Sequence, residues 1–198
     1  MHRKLVFASV LALSVGFATI PARSQVVQSA KQEKLPLTVG FGFANYSIDW
    51  CCSRRESGLG AWVDWRFHQL PPVLNGLGLE LEWRSIWFDV PSGLSGHRMD
   101  TGLGGPYYQW RKHDRLQPYG KFMIGFGSIG FPGNSPTYNH DTRTIYAPGA
   151  GLDVRITKGI KARVDYEYQF WPNLFGGNSL NPNGFTISAA YDFGRQLR

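Results

Sequence analysis

Hydrophobic and polar residues alternate one by one along most of this chain. The clearest case is "GIKARVDYEYQFWP" (159–172), which has apolar residues at even positions from Ile160 to Phe170 and charged or polar ones at odd positions. Successive side chains of a strand point to opposite faces, so one face of this segment is apolar and the other is charged. A strand of this kind suits either a soluble barrel or a barrel that spans a membrane.

Seven other segments show the same alternation, separated by clusters of glycine, proline, asparagine, serine and aspartate. The eight predicted strands are 37–48, 59–68, 76–87, 98–112, 117–131, 143–157, 159–172 and 184–193. Linkers after the odd-numbered strands are long, and those after the even-numbered strands are mostly shorter. This asymmetry is typical of outer-membrane barrels, so the predicted fold is all-β, a closed antiparallel eight-stranded up-and-down transmembrane β-barrel.

Glycine positions indicate which face points inward. Nearly all strand glycines fall on the polar face, where a soluble barrel would expose them to water and weaken its strands. A narrow closed barrel instead needs small residues inside to make room for long neighbours. In the irregular fourth segment the predicted inner residues are Asp100, Gly102, Gly104 and Tyr108.

Charged residues on the same face are nearly balanced, with six basic and seven acidic side chains. Isolated buried ions cost several kcal/mol each, so a closed interior requires them to pair. We therefore predict an interior charge network with a structural or gating role. Its predicted members are Asp64, Arg66, Glu80, Glu82, Arg84, Asp100, Lys121, Asp153, Arg155, Lys161, Arg163, Asp165 and Glu167.

Composition agrees with a β-rich membrane protein. Charged residues make up 18% of the chain and 24 residues are glycine, whereas the mean hydropathy of −0.26 argues against a helical membrane protein. The basic and apolar start of the chain, ending in small residues, predicts a cleaved signal peptide over 1–24. A short leader over 25–36 and a barrel domain over 37–198 follow. No basic run with interleaved aromatics suggests nucleic-acid binding.

Metal and disulfide chemistry receive little support from the sequence. Cys51 and Cys52 are adjacent, which disfavours an internal structural disulfide and leaves open a vicinal or intermolecular one. Further ligands at tetrahedral spacing are not near them, so we predict neither a metal nor a cofactor.

Three C-terminal segments, "LQPYGKFMIGFGSIGF", "YAPGAGLDVRITKGIKARVDYEYQFW" and "FTISAAYDF", resemble the last strands of the OmpA-like eight-stranded outer-membrane β-barrel family. The resemblance implies an outer-membrane location, with outer-membrane lipids and the outer-membrane assembly machinery as partners. It adds no catalytic residue. The "GRQLR" that follows Phe193 departs from relatives that end on the aromatic itself.

The function predicted from these features is non-enzymatic, with a structural or loop-mediated binding role in the cell envelope and an unidentified ligand at the loops. One alternative is a narrow, porin-like small-solute channel. A second is a soluble periplasmic ligand-binding barrel, whose pocket would consist of Phe41, Trp65, Leu79, Phe126 and Tyr166.

An enzyme is a further alternative, because some small outer-membrane barrels modify lipids. It requires a serine or histidine with an acid partner near the membrane edge. Ser135, His140 and Asp141 form the plausible group, and a flexible loop explains the same residues without catalysis.

Overall fold

Ten strands are present in the computed structural model of the chain, which describes residues 36–49, 55–67, 70–88, 97–111, 115–130 and 140–195. Their bounds are Leu37–Ser47 (β1), Arg55–Arg66 (β2), Leu77–Phe88 (β3), His97–Gln109 (β4), Leu116–Gly130 (β5), His140–Arg155 (β6), Ile160–Tyr168 (β7), Trp171–Leu174 (β8), Asn178–Leu180 (β9) and Asn183–Asp192 (β10). Eight of them close into an antiparallel barrel in the order β1, β10, β7, β6, β5, β4, β3, β2. The predicted eight-stranded closed barrel is confirmed.

The two ends of the barrel differ in their connections. Those after β1, β3, β5 and β7 lie at one end, called here the loop end, and those after β2, β4 and β6 lie at the opposite turn end. A short 3-10 helix, Pro72–Leu74, lies in the first turn, and a second, Phe193–Arg195, follows β10. Within the described ranges, no helix has the length and apolar character to cross a bilayer.

A small hairpin of β8 and β9 lies at the loop end, where the sequence predicted a plain loop. Its turn has left-handed backbone at Phe175 (φ 47°) and Gly176 (φ 85°). Trp171, Leu174 and Leu180 are at most 2% exposed. Burial of these apolar side chains therefore stabilises a segment that has no alternating pattern.

Over most of the barrel, apolar side chains point outward and charged side chains point into the lumen. Arg84 and Glu167 are fully buried, whereas the five residues assigned to a pocket in the soluble-barrel alternative are 40% to 66% exposed. Those five are Phe41, Trp65, Leu79, Phe126 and Tyr166. The predicted orientation is thus observed, and the pocket of the soluble alternative is wrong because its residues line the outer wall.

Strand β4 has the opposite orientation to the predicted one. In the ladder between β3 and β4, Leu103 pairs with Glu82 and Thr101 pairs with Arg84. Residues paired across two strands point to the same side of the sheet, and Glu82 and Arg84 point inward. Met99, Thr101 and Leu103 therefore point inward, and they are at most 4% exposed. The predicted inner residues Asp100, Gly102, Gly104 and Tyr108 point outward. The assumption that apolar residues point outward fails in β4, because the interior near the loop end is itself apolar.

Pro106 and Pro148 lie within strands without shifting their register. Pro106 of β4 interrupts pairing with β5, yet Gly104–Ile124 and Tyr107–Lys121 on either side keep one register. Pro148 of β6 is likewise flanked by pairings to β7 and to residue 170 that share a register. Neither proline marks the bulge that its missing donor could have produced.

Candidate functional site

Arg163 of β7 reaches across the lumen and contacts carboxylates from three other strands. Its guanidinium donates to Asp64 of β2 (2.7 Å), Glu80 of β3 (2.7 Å) and Asp153 of β6 (2.6 Å). The same group lies 3.5 Å from the centroid of the Trp62 ring. Charge-assisted hydrogen bonds and a cation–π contact therefore join four strands through one buried side chain.

Lys121 of β5 lies among four carboxylates from two strands. Its Nζ is 2.9 Å from Glu80 and 2.7 Å from Glu82 on β3, and 3.1 Å from Asp165 and 3.4 Å from Glu167 on β7. An ammonium group has three protons to donate, so four acceptors share three donors. Lys121 thus connects three strands and offsets a local excess of negative charge.

Arg84 of β3 links this cluster to the hairpin at the loop end. It contacts Glu82 and lies 2.8 Å from Glu167. The side-chain amide of Gln169 donates to Glu167 (2.7 Å), and the indole of Trp171 donates to Gln169 (2.9 Å). A continuous series of polar contacts therefore runs from the central charges to β8.

The network extends in the other direction to the turn end. Lys161 of β7 lies 3.4 Å from Asp153 and 3.9 Å from Asp192 of β10. Asp192 also forms a salt bridge with Arg66, and Gln109 donates to Asp153 (2.8 Å). The charged residues consequently span the lumen from its turn end to the level of Arg84.

The structure brings together most of the charges predicted to lie inside. Ten of the thirteen are at most 8% exposed: Asp64, Glu80, Glu82, Arg84, Lys121, Asp153, Lys161, Arg163, Asp165 and Glu167. Arg66 is half-buried against Asp192, and Arg155 lies on the inward face at the last residue of β6. Their interior position follows from the alternating pattern, and their structural or gating role stays a prediction.

Asp100 does not belong to the network. It points outward from β4, because the inward and outward faces of this strand are exchanged relative to the prediction, and it pairs with Arg98 of the same strand, 2.6 Å away. Asp192 takes its place as an interior carboxylate that the prediction missed. It lies on the polar face of the last strand, opposite the outward Tyr191, so extending the alternation to the end of that strand would have found it.

Glycines inside the barrel make room chiefly for aromatic rings. A Cβ at Gly40 would lie 2.2 Å from the Trp62 ring, and a Cβ at Gly127 would lie 2.2 Å from the Trp171 ring. The predicted use, space for long charged neighbours, is seen at Gly149, whose Cβ would lie 2.9 Å from Lys121. The glycine pattern therefore indicated the correct inward face, but the space that the glycines leave is occupied mainly by aromatic rings.

The loop end of the lumen is filled by apolar side chains. They come from the barrel strands and from the hairpin, and they form one buried cluster: Ala44, Tyr46, Ile48, Ile86, Met99, Leu103, Met123, Ile129, Ile145, Ala147, Trp171, Leu174 and Leu180. Charged side chains fill the described lumen from the turn end to its middle, and apolar side chains fill the loop end. Such a filled interior is expected of a barrel of eight strands.

Three interior carboxylates have the spacing of metal ligands. Oxygens of Glu82, Asp165 and Glu167 lie within 4.8 Å of one another. Such an oxygen set suits a hard divalent cation. Lys121 is in contact with all three and places a positive charge among them.

The residues considered for catalysis are not all described. Ser135, Cys51 and Cys52 lie outside the described residues, as do the predicted signal peptide and nearly all of the leader. Asp141 accepts hydrogen bonds from the backbone of Phe175 (2.6 Å) and from Arg143 (2.9 Å).

The sequence profile of the outer membrane protein β-barrel domain matches residues 8–193. The chain belongs to that family. No curated protein sequence matches it. The family and the polar-inside architecture confirm the predicted OmpA-like resemblance and the outer-membrane location.

Solved outer-membrane barrels share the fold of this family member. The neisserial surface protein A is 11% identical, with a TM-score of 0.64 over 79% of this chain and 97% of its own. The attachment invasion locus protein Ail of Yersinia pestis is 16% identical, with a TM-score of 0.56 over 78% and 96%. The outer membrane enzyme PagL is 11% identical, with a TM-score of 0.53 over 77% and 97%. At these identities the likeness shows the fold alone.

Leu81→Arg is expected to destabilise this outer-membrane barrel by about 2–4 kcal/mol, because it places a cation on the lipid-facing wall near the bilayer midplane. Leu81 is 65% exposed on the outer wall, in the middle of β3. Denaturant unfolding in lipid vesicles measures the change, and Val73→Arg in the turn-end 3-10 helix, where Val73 is 78% exposed, is the control. Equal stability of Leu81→Arg and Val73→Arg would contradict a lipid-facing wall.

Proposed function

We propose that this outer-membrane barrel has a structural or loop-mediated binding role in the cell envelope, without catalytic chemistry in its lumen. The observation that supports this role is the filled interior. Ion pairs extend from Arg66 at the turn end to Arg84, and the apolar cluster then continues to the loop end. A barrel filled in this way lacks a wide aqueous path and can act through its wall and its loops.

The loop end faces the exterior of the cell in this proposal, as the longer loops of bacterial barrels do. Outer-membrane lipids contact the apolar wall, and the assembly machinery of that membrane inserts the chain. A ligand, where one exists, binds at the connections after β1, β3 and β5 and at the hairpin. These segments are longer than the turns after β4 and β6 at the opposite end.

Complementation of a deletion strain tests the role. Wild-type protein is expected to restore resistance to detergent. If the role is purely structural, a variant whose segments 50–54, 90–96 and 131–139 are shortened to Gly-Ser turns should restore it as well. Loss of resistance with this variant, despite normal insertion, would assign the role to the loops. A deletion strain with unchanged resistance would contradict a structural role.

A narrow small-solute channel is the second candidate. It is favoured by the ammonium group of Lys121, which four carboxylates share. Because four carboxylates compete for one ammonium, a change of partners would rearrange the centre of the lumen. Planar-bilayer recordings separate the two candidates. We expect no current steps from the purified barrel, and reproducible single-channel steps would favour the channel.

A further inference from the structure

A serine–histidine pair lies on the outer wall of the barrel, away from the charged lumen. Ser128 Oγ of β5 and His140 Nε2 of β6 are 2.7 Å apart. In the β5–β6 ladder, His140 pairs with Gly130 and Ser128 pairs with Thr142, so the two side chains are diagonal neighbours on one face. That face is outward, since Phe126, two residues before Ser128, is 66% exposed.

The pair lies where the apolar wall ends. Along the outward face of β5, Ile124 and Phe126 are 47% and 66% exposed, and Ser128 is the next outward residue toward the loop end. Ser85 of β3 and Asp100 of β4 occupy the same level, because the ladders pair Ser85 with Asp100 and Asp100 with Ser128. A change from apolar to polar side chains on a membrane barrel marks the interface with the headgroups. The ester carbonyls of membrane lipids lie at this depth.

A cation lies in the same row of the outer wall as the histidine. The ladders pair Arg98 with Gly130 and Gly130 with His140, so a residue without a side chain separates the two. Arg98 Nε donates to Asp100 (2.9 Å) and to Ser85 (3.1 Å), while its side chain is 53% exposed. A guanidinium fixed in this way suits a lipid phosphate or a carbonyl oxygen.

The segment that carries His140 is anchored to the barrel. The next residue, Asp141, pairs with the inward-facing Ile129 and accepts hydrogen bonds from the backbone of Phe175 and from Arg143. These contacts bind the start of β6 to the hairpin region. A reacting group carried on an anchored strand keeps its geometry better than one on a free loop.

We propose that Ser128 and His140 form an esterase site on the outer wall, which cleaves long-chain fatty acyl esters of lipids at the membrane interface. The site is independent of the lumen and goes beyond the proposed structural or binding role. Ser128 is the nucleophile, His140 is the general base, and Arg98 binds the anionic or carbonyl oxygens of the lipid. The serine–histidine hydrogen bond is the contact that such a nucleophile requires.

The reaction balances without another cofactor. Ser128 Oγ attacks the ester carbonyl carbon while His140 Nε2 takes the hydroxyl proton. The tetrahedral intermediate expels the lipid alkoxide, which takes the proton from His140 and leaves an acyl-serine. His140 then removes a proton from water, the hydroxide attacks the acyl carbonyl, and Ser128 leaves with that proton as fatty acid is released.

Activity-based labelling tests the site in the full-length barrel. The protein is reconstituted in phosphatidylethanolamine vesicles or in lipopolysaccharide-containing vesicles and treated with an alkyl fluorophosphonate. We expect labelling at Ser128 by peptide mass spectrometry, and at least ten-fold slower labelling and fatty acid release in His140→Gln. Ser128→Ala should lose both signals.

Ser57→Ala is the matched control, because Ser57 is another serine on the outer wall near the loop end, with Asn45 as its side-chain partner. A heat-dependent shift in gel mobility verifies that every variant is folded. Fatty acid release from one vesicle type alone identifies phospholipid or acylated saccharide as the source of the ester. Folded wild-type protein that neither labels nor releases fatty acid, or release that persists in Ser128→Ala, would overturn the esterase. Neither result affects the complementation outcome.

Discussion

Alanine at position 163 is expected to lower the free energy of unfolding of the barrel by about 3–5 kcal/mol, because it removes one partner of a buried ion cluster. Arg163 is 2% exposed and forms salt bridges with Asp64, Glu80 and Asp153. Without the guanidinium, these carboxylates stay in the lumen with fewer compensating charges. Denaturant titration in vesicles, followed by the difference in gel mobility of heated and unheated samples, measures the loss.

Arg55→Ala is the matched control for Arg163→Ala. Arg55 is an exposed arginine on β2 that donates to Asn45 at the loop end, so its removal should change stability by about 0.5 kcal/mol or less. A similar, small effect of both substitutions would show that the carboxylates around Arg163 do not depend on it. Arg163 would then have no structural role in the predicted interior network.

Methionine at position 121 is expected to produce the second large effect, again a loss of several kcal/mol. Lys121 is the shared cation of Glu80, Glu82, Asp165 and Glu167, and methionine is an unbranched side chain of similar size without the charge. Repulsion among the four carboxylates should leave the variant poorly folded in the presence of a chelator.

Divalent cations should partly restore the stability of Lys121→Met. Oxygens of three of the carboxylates already lie within 4.8 Å of one another, a spacing that a metal ion can bridge. Refolding with millimolar Ca²⁺ or Mg²⁺ should therefore raise the midpoint of unfolding of the variant and leave wild type unchanged. Arg163→Ala is the control, since it keeps the Lys121 ammonium. Equal responses of both variants to the cations would argue against this replacement.

The sequence predicted the barrel well wherever one face of a strand is wholly apolar. In β7 the alternation from Ile160 to Tyr168 matches the observed faces at every position. It failed in β4, because inward Met99 and Leu103 contact an apolar part of the interior while glycines face outward. Alternation identifies two faces, but only the surroundings decide which face is inside.

Features that depend on register or on burial of short segments were harder to predict. Most of the interior charges were predicted, with Asp100 wrong and Asp192 missed. Their pairing was not predicted, since Arg163 and Asp64 are 99 residues apart in the chain. The contact of His140 with Ser128 likewise depends on the ladder between β5 and β6. Burial of Trp171 in the hairpin had no periodic signal, because β8 is four residues long.

The closing seam of the barrel has a consequence for the order of its assembly. The first and last barrel strands, β1 and β10, pair with each other, so the sheet cannot close until β10 is in place. In an open sheet, the carboxylates on β2 and β3 lie far from the arginine of β7 and lack its charge. Unpaired ions are costly in lipid. A half-built barrel is therefore penalised inside the bilayer. Its charges favour insertion as one late, concerted event over the entry of one hairpin at a time.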